Sequence, residues 1–343
     1  MSRYLVFALQ GIGDALEATP ILNALRAHDP AGRVDVAVSR GGPAGLFAQL
    51  PDLVSRVIEL PYWDRGPLAF GAALAFSARR ELYDASFMAY PAAKPAYHLV
   101  NACFRAKRKF GHRYAEPRLG NALWSYTDLV AIRPAHNVER NLDLVAAAGI
   151  PRPDVAAYAV PAAWSGSDRR EPARVTLHIG TIAHDGFENK RWPLEHFGEV
   201  GRYLVRAGYD VWLLAGPNEL AETQRLAALV PGSRTFTGSL DAAARHLAKS
   251  ALVLSNDSGI GHLAAALGTP VVTLFGPTPT TGAPYGPNSY PLRTSPCPPC
   301  FHPLSRGISC VLDIDFRCLK WDLTVDAVIE HVCGVLQREA VDA

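Results

Sequence analysis

Short apolar runs alternate along this chain with longer stretches whose apolar positions recur at helical spacing, the pattern expected of parallel β-α-β units. In the first half it predicts strands at Tyr4–Leu9, Val34–Val38, Arg56–Leu60 and Tyr83–Ala89. Helices are predicted there at Ala15–Ala27, Leu68–Arg79 and Val138–Ala148. The alternation restarts in the second half, with strands at Val175–Ile179, Asp210–Ala215, Leu252–Ser255 and Val271–Phe275. The intervening helices are Leu194–Ala207, Glu219–Leu229, Leu240–Ser250 and Gly259–Leu267, and a last helix spans Thr324–Gln337.

Between the halves lies a polar stretch containing Ser165-Gly166-Ser167-Asp168, read as a linker over residues 161–173. The pattern therefore gives an α/β fold of two doubly wound, Rossmann-like domains facing a central cleft. Residues 1–160 form the first domain and 174–322 the second, followed by a terminal helix over 323–343. In such sheets ligands bind beyond the carboxyl ends of the strands, so the loops after strands are where chemistry is sought.

Composition narrows the function classes. Hydrophobic residues make up 49% and charged residues 19% of 343 positions, which excludes a disordered chain. The net charge of +2 is too small for a protein that lives on nucleic-acid phosphates. No apolar run is long enough for a membrane span, and the N-terminus reads as a buried strand rather than a signal peptide. A cytoplasmic protein is expected. Among 34 basic residues only six are lysines: Lys94, Lys107, Lys109, Lys190, Lys249 and Lys320.

The first strand ends in Gln10-Gly11-Ile12-Gly13-Asp14-Ala15-Leu16-Glu17. This is not a dinucleotide fingerprint, since Leu16 stands where a third glycine is needed and Asp14 places a carboxylate where a pyrophosphate needs bare amides. Asp14 reads either as a helix N-cap, with Glu17 three residues on completing a capping box, or as a general base at the cleft. Gly11 and Gly13 would allow a sharp turn and close approach of a ligand.

Three loops of the second half suit an anion. Ser255-Asn256-Asp257-Ser258-Gly259-Ile260-Gly261-His262 starts a helix whose amides at Ser258 and Gly259 face outward, with His262 about one turn in. Thr181 follows another strand, and Lys190 and Arg191 stand just upstream of a helix opened by Pro193. Asp257 is placed to accept from sugar hydroxyls, Glu219 to hold a ribose diol, and Gly238 to lie under a base. The blander readings are an N-cap for Ser258, a core position for His262 and a solvated basic loop at 190–191. Together the loops point to a nucleotide diphosphate.

Gly-Ile-Gly-Asp-x-x-x-x-Thr-Pro at 11–20, Lys-Arg-Trp-Pro at 190–193 and Asn-Asp-Ser-Gly-x-x-His-Leu-Ala-Ala-Ala-Leu-Gly-Thr-Pro at 256–270 together resemble glycosyltransferase family 9, the ADP-heptose:lipopolysaccharide heptosyltransferases. Val-Val-Thr-Leu-Phe-Gly-Pro-Thr at 271–278 continues the likeness. The resemblance implies a GT-B fold, in which the helix at 323–343 packs back on the first domain, and inverting, metal-independent transfer of heptose from ADP-heptose to a hydroxylated acceptor, with no cofactor required. It implies Asp14 as catalytic base, and Thr181, Lys190, Glu219, Gly238, Asp257, Ser258, Gly259 and His262 as donor-binding residues. Gln10, Gly11 and Gly13 fall on the acceptor side. There Ala8 stands where the family often has a basic residue, Gln10 replaces a small one, and Glu17 replaces an apolar residue or threonine. These departures leave two alternatives: another nucleotide sugar or a small-molecule acceptor on the same fold, and a non-catalytic nucleotide-sugar binding protein.

Two features remain. The basic run Arg105-Ala106-Lys107-Arg108-Lys109 is read as a solvated loop, or as an acceptor or peripheral membrane contact through Lys107 and Lys109. Cys297, Cys300, Cys310 and Cys318 are spaced C-x2-C-x9-C-x7-C and are read as reduced packing residues, with a zinc or disulfide cluster the alternative.

Overall fold

The structure, a computed structural model, describes residues 1–39, 42–60, 81–114, 123–164, 170–182, 186–302 and 307–341. It divides into two compact units, Met1–Pro161 and Ala162–Ala343. The helix predicted at Leu68–Arg79 lies outside the described residues.

The first unit is built on a six-stranded parallel sheet of order β3-β2-β1-β4-β5-β6. Its strands are β1 (Arg3–Ala8), β2 (Arg33–Ser39), β3 (Arg56–Leu60), β4 (Leu82–Met88), β5 (Arg105–Arg113) and β6 (Asp128–Ala131). Helices α1 (Ile12–His28), α2 (Gly42–Ala48), α3 (Pro95–Cys103) and α4 (Asn137–Ala147) connect or flank them. Because β1 and β2 are buried on both faces, they read as near-continuous apolar runs rather than alternating ones, β2 interrupted by the buried Asp35, which pairs with Arg33 and Arg56. α1 packs along α4. Pro20 lies inside α1 and removes the amide that would bond the Leu16 carbonyl, and the Thr19 hydroxyl donates to that carbonyl at 2.7 Å instead.

The strand β5 corrects the reading of residues 105–109 as a loop. Its charges are paired across the sheet, Lys107 with Asp84 at 2.7 Å and Arg108 with Asp128 at 2.7 Å. Further along, Phe110 stacks on Phe87 with ring centroids 5.2 Å apart. Partners in neighbouring strands and a half-exposed position make so basic a sequence tolerable as β-structure.

The second unit repeats the topology, with order β12-β11-β10-β7-β8-β9, again all parallel. The strands are β7 (Glu171–His178), β8 (Asp210–Ala215), β9 (Arg234–Thr237), β10 (Ser250–Asn256), β11 (Val271–Leu274) and β12 (Ser289–Leu292). The helices are α5 (Leu194–Arg206), α6 (Leu220–Leu229), α7 (Leu240–Ala248), α8 (Gly259–Ala266), α9 (Arg317–Lys320) and α10 (Val325–Val341). Phe197, Val200 and Leu204 of α5 meet Val175, Leu177 and Leu213 of the sheet in one apolar core.

In the last helix, α10, Val328, Val332, Val335 and Leu336 lie in the second unit's core, and α10 packs on α5 and β10. The linker was drawn to residue 173, but β7 begins at Glu171, and Trp164 is fully buried with its indole N–H donating to Asp241 at 3.1 Å. A side chain of that size at an interior position belongs to a core, whatever the polarity of its neighbours in sequence. Replacing Trp164 by alanine should therefore destabilise the second unit by about 3–5 kcal/mol. Denaturant unfolding followed by circular dichroism checks this, and a change within about 0.5 kcal/mol would return Trp164 to a surface linker.

Candidate active site

In a sheet of order 3-2-1-4-5-6 the connections leave the central pair of strands in opposite directions, which opens a crevice beyond their carboxyl ends. The first unit has that crevice after β1 and β4, the second after β7 and β10.

In the first crevice the chain leaves β1 and enters α1 through Gly11, the N-cap residue, whose φ of −72° and ψ of −178° are open to any amino acid. No left-handed turn is present, so the glycine's value here is close backbone approach rather than a sharp turn. The capping arrangement sits one turn earlier than the spacing predicted. Asp14 occupies the third helical position, not the cap, and its Oδ2 accepts from the Gly11 amide at 3.2 Å. Glu17 is free of any capping duty and is buried at 1% exposure. Its carboxylate accepts from the Asn137 side-chain amide of α4 at 3.1 Å. Asn141, also on α4, donates to the Glu17 backbone carbonyl at 2.9 Å and accepts from the Tyr90 amide, just after β4, at 2.7 Å. Gln10 is partly buried, its carbonyl accepting from the Ser39 hydroxyl at 3.5 Å, and Gly13 is buried in the first turn of α1.

The second crevice gathers most of the anion-suited residues. Lys190 and Asp257 form an ion pair at 3.1 Å, with side chains only 13% and 14% exposed. Ser258 caps α8 from an extended conformation, and its buried hydroxyl has no hydrogen-bond partner among the described residues. Gly259 opens α8, and His262 is buried in its first turn. The amides of that turn and the orphaned hydroxyl converge at the positive end of the helix, where an anion is favoured.

Thr181 is buried, but its hydroxyl is engaged inside its own loop. It donates toward the Phe187 carbonyl at 3.2 Å and accepts from the Arg191 guanidinium at 3.0 Å. Arg191 also donates to the Thr181 carbonyl at 3.0 Å and pairs with Glu222 at 2.6 Å, so it builds the loop. Glu219 turns inward: it accepts from the Gly216 amide at 2.8 Å, and its Oε1 lies 1.7 Å from where a Cβ on Gly180 would stand, so a side chain at 180 would displace the Glu219 carboxylate from this position. Gly238 is exposed just past β9, beside Phe236.

Lys107 and Lys109 do not join the first crevice. Lys107 pairs with Asp84, the residue that also accepts from the Arg3 amide at the opposite end of β1, and Lys109 donates to the Asn101 carbonyl at 2.9 Å. The strand register places them toward the amino ends of the sheet, away from Asp14. The four late cysteines are unpaired thiols. Burial, with the neighbouring Cys300 and Cys297 thiols, pushes Cys318 up to about 11. Among the described residues no three metal-ligating side chains form a group able to hold an ion.

Three residues that shape these crevices were not singled out from sequence. Asn256, fully buried at the end of β10, accepts from the Trp192 amide at 2.9 Å and donates to the Ile179 carbonyl at 2.8 Å. It thereby ties the Thr181 and Lys190 loops to β10. Asn141 does the same work in the first unit, with Asn137 beside it. The available signal was a polar residue closing an apolar strand, Leu252-Val253-Leu254-Ser255-Asn256, and two asparagines at helical spacing.

Several buried histidines are held toward the neutral form. Burial drives His98 and His112 of the first unit and His246 of the second down to about 4. His178, beneath the second crevice, is also held below its ordinary value by burial, which the Glu219 carboxylate 3.8 Å away opposes.

Residues 73–307 match the family described as "Glycosyltransferase family 9 (heptosyltransferase)". Lipopolysaccharide heptosyltransferase 1 of Escherichia coli strain K12 is 28% identical over 290 residues, covering 80% of this chain and 88% of that protein. The E. coli heptosyltransferase WaaC solved with ADP-2-deoxy-2-fluoro heptose superposes with a TM-score of 0.73 at 24% identity, over 97% of this chain and 99% of that one. A glycosyl transferase family 9 structure from Veillonella parvula reaches a TM-score of 0.78 at 18% identity, covering 98% of each chain.

Two measurements check the geometry. Asn256→Ala orphans the Trp192 amide and the Ile179 carbonyl and should cost about 1–3 kcal/mol for each in denaturant unfolding, whereas Asn256→Asp, which keeps the acceptor, should lose only one bond. Equal, negligible effects of both would mean that Asn256 does not tie the loops. Because His98, His112 and His246 titrate near 4 when folded and at the ordinary 6.5 when unfolded, the unfolded chain binds more protons between those values. Their stability contribution should be complete above pH 6.5 and be lost as pH falls toward 4; an unfolding free energy that is flat across that window would contradict it.

Proposed function

The chain belongs to glycosyltransferase family 9, the heptosyltransferases, and from that membership we propose that it moves a heptose from ADP-heptose to a hydroxyl of a lipopolysaccharide-core acceptor, with inversion and without a metal. The observation that carries the donor half of this reading is the Lys190–Asp257 pair set beside the amino end of α8, where the Ser258 hydroxyl has no partner among the described residues.

In the proposed reaction Asp14 takes the proton of the acceptor hydroxyl as its oxygen attacks the anomeric carbon from the side opposite the diphosphate. The new glycosidic C–O bond forms while the bond to the diphosphate oxygen breaks, and ADP departs with the electron pair. Charge grows on that oxygen in the transition state, and the Lys190 ammonium and the Ser258 and Gly259 amides are fixed in place to meet it. Asp257 holds Lys190 in position and, with His262, faces the donor. Glu219 takes the ribose and Gly238 lies beside the base. Thr181 contributes through the shape of its loop. The E. coli relative named above is a lipopolysaccharide heptosyltransferase, and that supports a lipopolysaccharide acceptor here. One departure that suggested a different acceptor loses its force, because Glu17 is buried against α4 and does not present its carboxylate to a ligand.

Asp14→Asn should lower turnover by about a hundredfold or more while ADP affinity, read by calorimetry, stays unchanged. Lys190→Ala should weaken ADP binding about tenfold to a hundredfold. A panel of ADP-, GDP-, UDP- and dTDP-sugars tested by thermal shift should favour the ADP-sugar, and a clear preference for UDP- or GDP-sugars would sink the heptose assignment. Normal turnover of Asp14→Asn would remove the base assignment, and transfer to a small hydroxylated compound but not to heptose-less lipopolysaccharide would replace the acceptor.

A further inference from the structure

Glu17 stands out among the residues that the reaction does not use. It is a carboxylate at 1% exposure on a helix whose adjacent interior positions, Ala15, Leu16, Ala18 and Ile21, are all apolar. Burying such a group is costly unless its hydrogen bonds are met, and an apolar side chain would fill the space without that cost. Here the bonds are met, and they close a ring. The Asn137 amide donates to the Glu17 carboxylate at 3.1 Å, and the Arg140 guanidinium donates to Asn137 Oδ1 at 3.1 Å. That guanidinium lies 4.7 Å over the Tyr90 ring, the Tyr90 amide donates to Asn141 Oδ1 at 2.7 Å, and Asn141 donates to the Glu17 carbonyl at 2.9 Å. The ring joins α1, α4 and the turn after β4.

Asp14 lies three residues before Glu17, one turn up the same helix face. Burial pushes the Tyr90 phenol above its ordinary value; the Arg140 guanidinium opposes this, and the Glu17 and Asp14 carboxylates add to it. Within the first turn of α1 the Asp14 carboxylate accepts from the Gly11 amide at 3.2 Å. A base must stand within hydrogen-bond reach of the proton it takes, and a displacement of about 1 Å can cost a hundredfold in rate.

We propose that Glu17, through Asn137, is a positioning residue for Asp14: the pair pins the first two turns of α1 to α4 and fixes the direction in which the Asp14 carboxylate points. This rests on the assignment of Asp14 as base. Glu17 itself touches no substrate, and its effect is carried by the helix.

The test uses the full chain, with ADP release from ADP-heptose onto heptose-less lipopolysaccharide as the rate. Calorimetric ADP affinity and thermal unfolding serve as controls. Glu17→Ala and Asn137→Ala should each lower kcat about tenfold or more, with donor KM and ADP affinity unchanged. Glu17→Gln, whose amide oxygen can accept the same Asn137 N–H, should recover most of the loss, and the double alanine variant should be no worse than either single one. Should Glu17→Ala not fold, Glu17→Leu fills the same space without oxygen atoms and takes its place beside Asn137→Ala. A wild-type kcat in these variants beside an inactive Asp14→Asn overturns the positioning role and leaves the base assignment standing. A loss that appears equally in ADP affinity, or that Glu17→Gln does not relieve, overturns it as well. Wild-type turnover of Asp14→Asn overturns both.

Discussion

Each sheet has one place where buried backbone must find partners outside the ladder. Beyond the central strands the connections part, and the peptide groups at the mouth of the crevice lose the neighbours that sheet pairing would supply. Both units meet this constraint with one fully buried asparagine whose two ends are both used. Asn256 accepts from the Trp192 amide and donates to the Ile179 carbonyl; Asn141 accepts from the Tyr90 amide and donates to the Glu17 carbonyl. An asparagine can do this because its acceptor and donor are held at a fixed spacing on a short stem. The placement of the Thr181 and Lys190 loops follows from the first clamp, and that of the first turns of α1 from the second.

With the loops held, adjacent cations can take different tasks. Arg191 spends its planar fork on structure, reaching the hydroxyl and carbonyl of Thr181 and the Glu222 carboxylate at once. Lys190 carries a compact charge on a flexible stem, held by one carboxylate and passing 5.7 Å from the Phe187 ring. An ammonium with a single ionic partner among the described residues can be shared with an incoming anion, whereas a guanidinium tied at three points cannot leave without dismantling the loop. In a chain with six lysines, this one sits at 13% side-chain exposure beside the start of α8.

The long apolar strands were legible because burial on both faces leaves no other composition possible. Arg56–Leu60 was read with its exact limits, and β1, β2 and β4 to within a residue or so. The strands that escaped, β6, β9 and β12, have four residues each and lie at sheet edges, too short for a period to register. β5 escaped because its Arg105, Lys107 and Arg108 look like a surface run until Asp84 and Asp128 are known to lie across the sheet. At the site, the phosphate-suited loops were visible as motifs, since glycine, serine and lysine there answer local needs. Asn256, Asn141 and Asn137 were not, because their partners stand 51 to 124 residues away or across separate loops. The terminal helix is a related case: its apolar spacing announces a buried face without saying which core receives it.

Asp14 shows why a capping role and a chemical role are poor alternatives to weigh against each other. A carboxylate in the first turn of a helix is favoured by the helix dipole and by the unpaired amides there, and its bond to the Gly11 amide limits the rotation of the side chain. A base gains from the same restriction, since an oriented group does not have to be ordered again when the acceptor arrives. The strand order places that turn at the mouth of the crevice, so the residue that stabilises the start of α1 is also the one presented to a ligand. Shifting the cap from Asp14 to Gly11 sharpens this: as the cap, the Asp14 side chain would have been bound to amides deeper in the helix, whereas at the third position it reaches back toward the loop that follows β1.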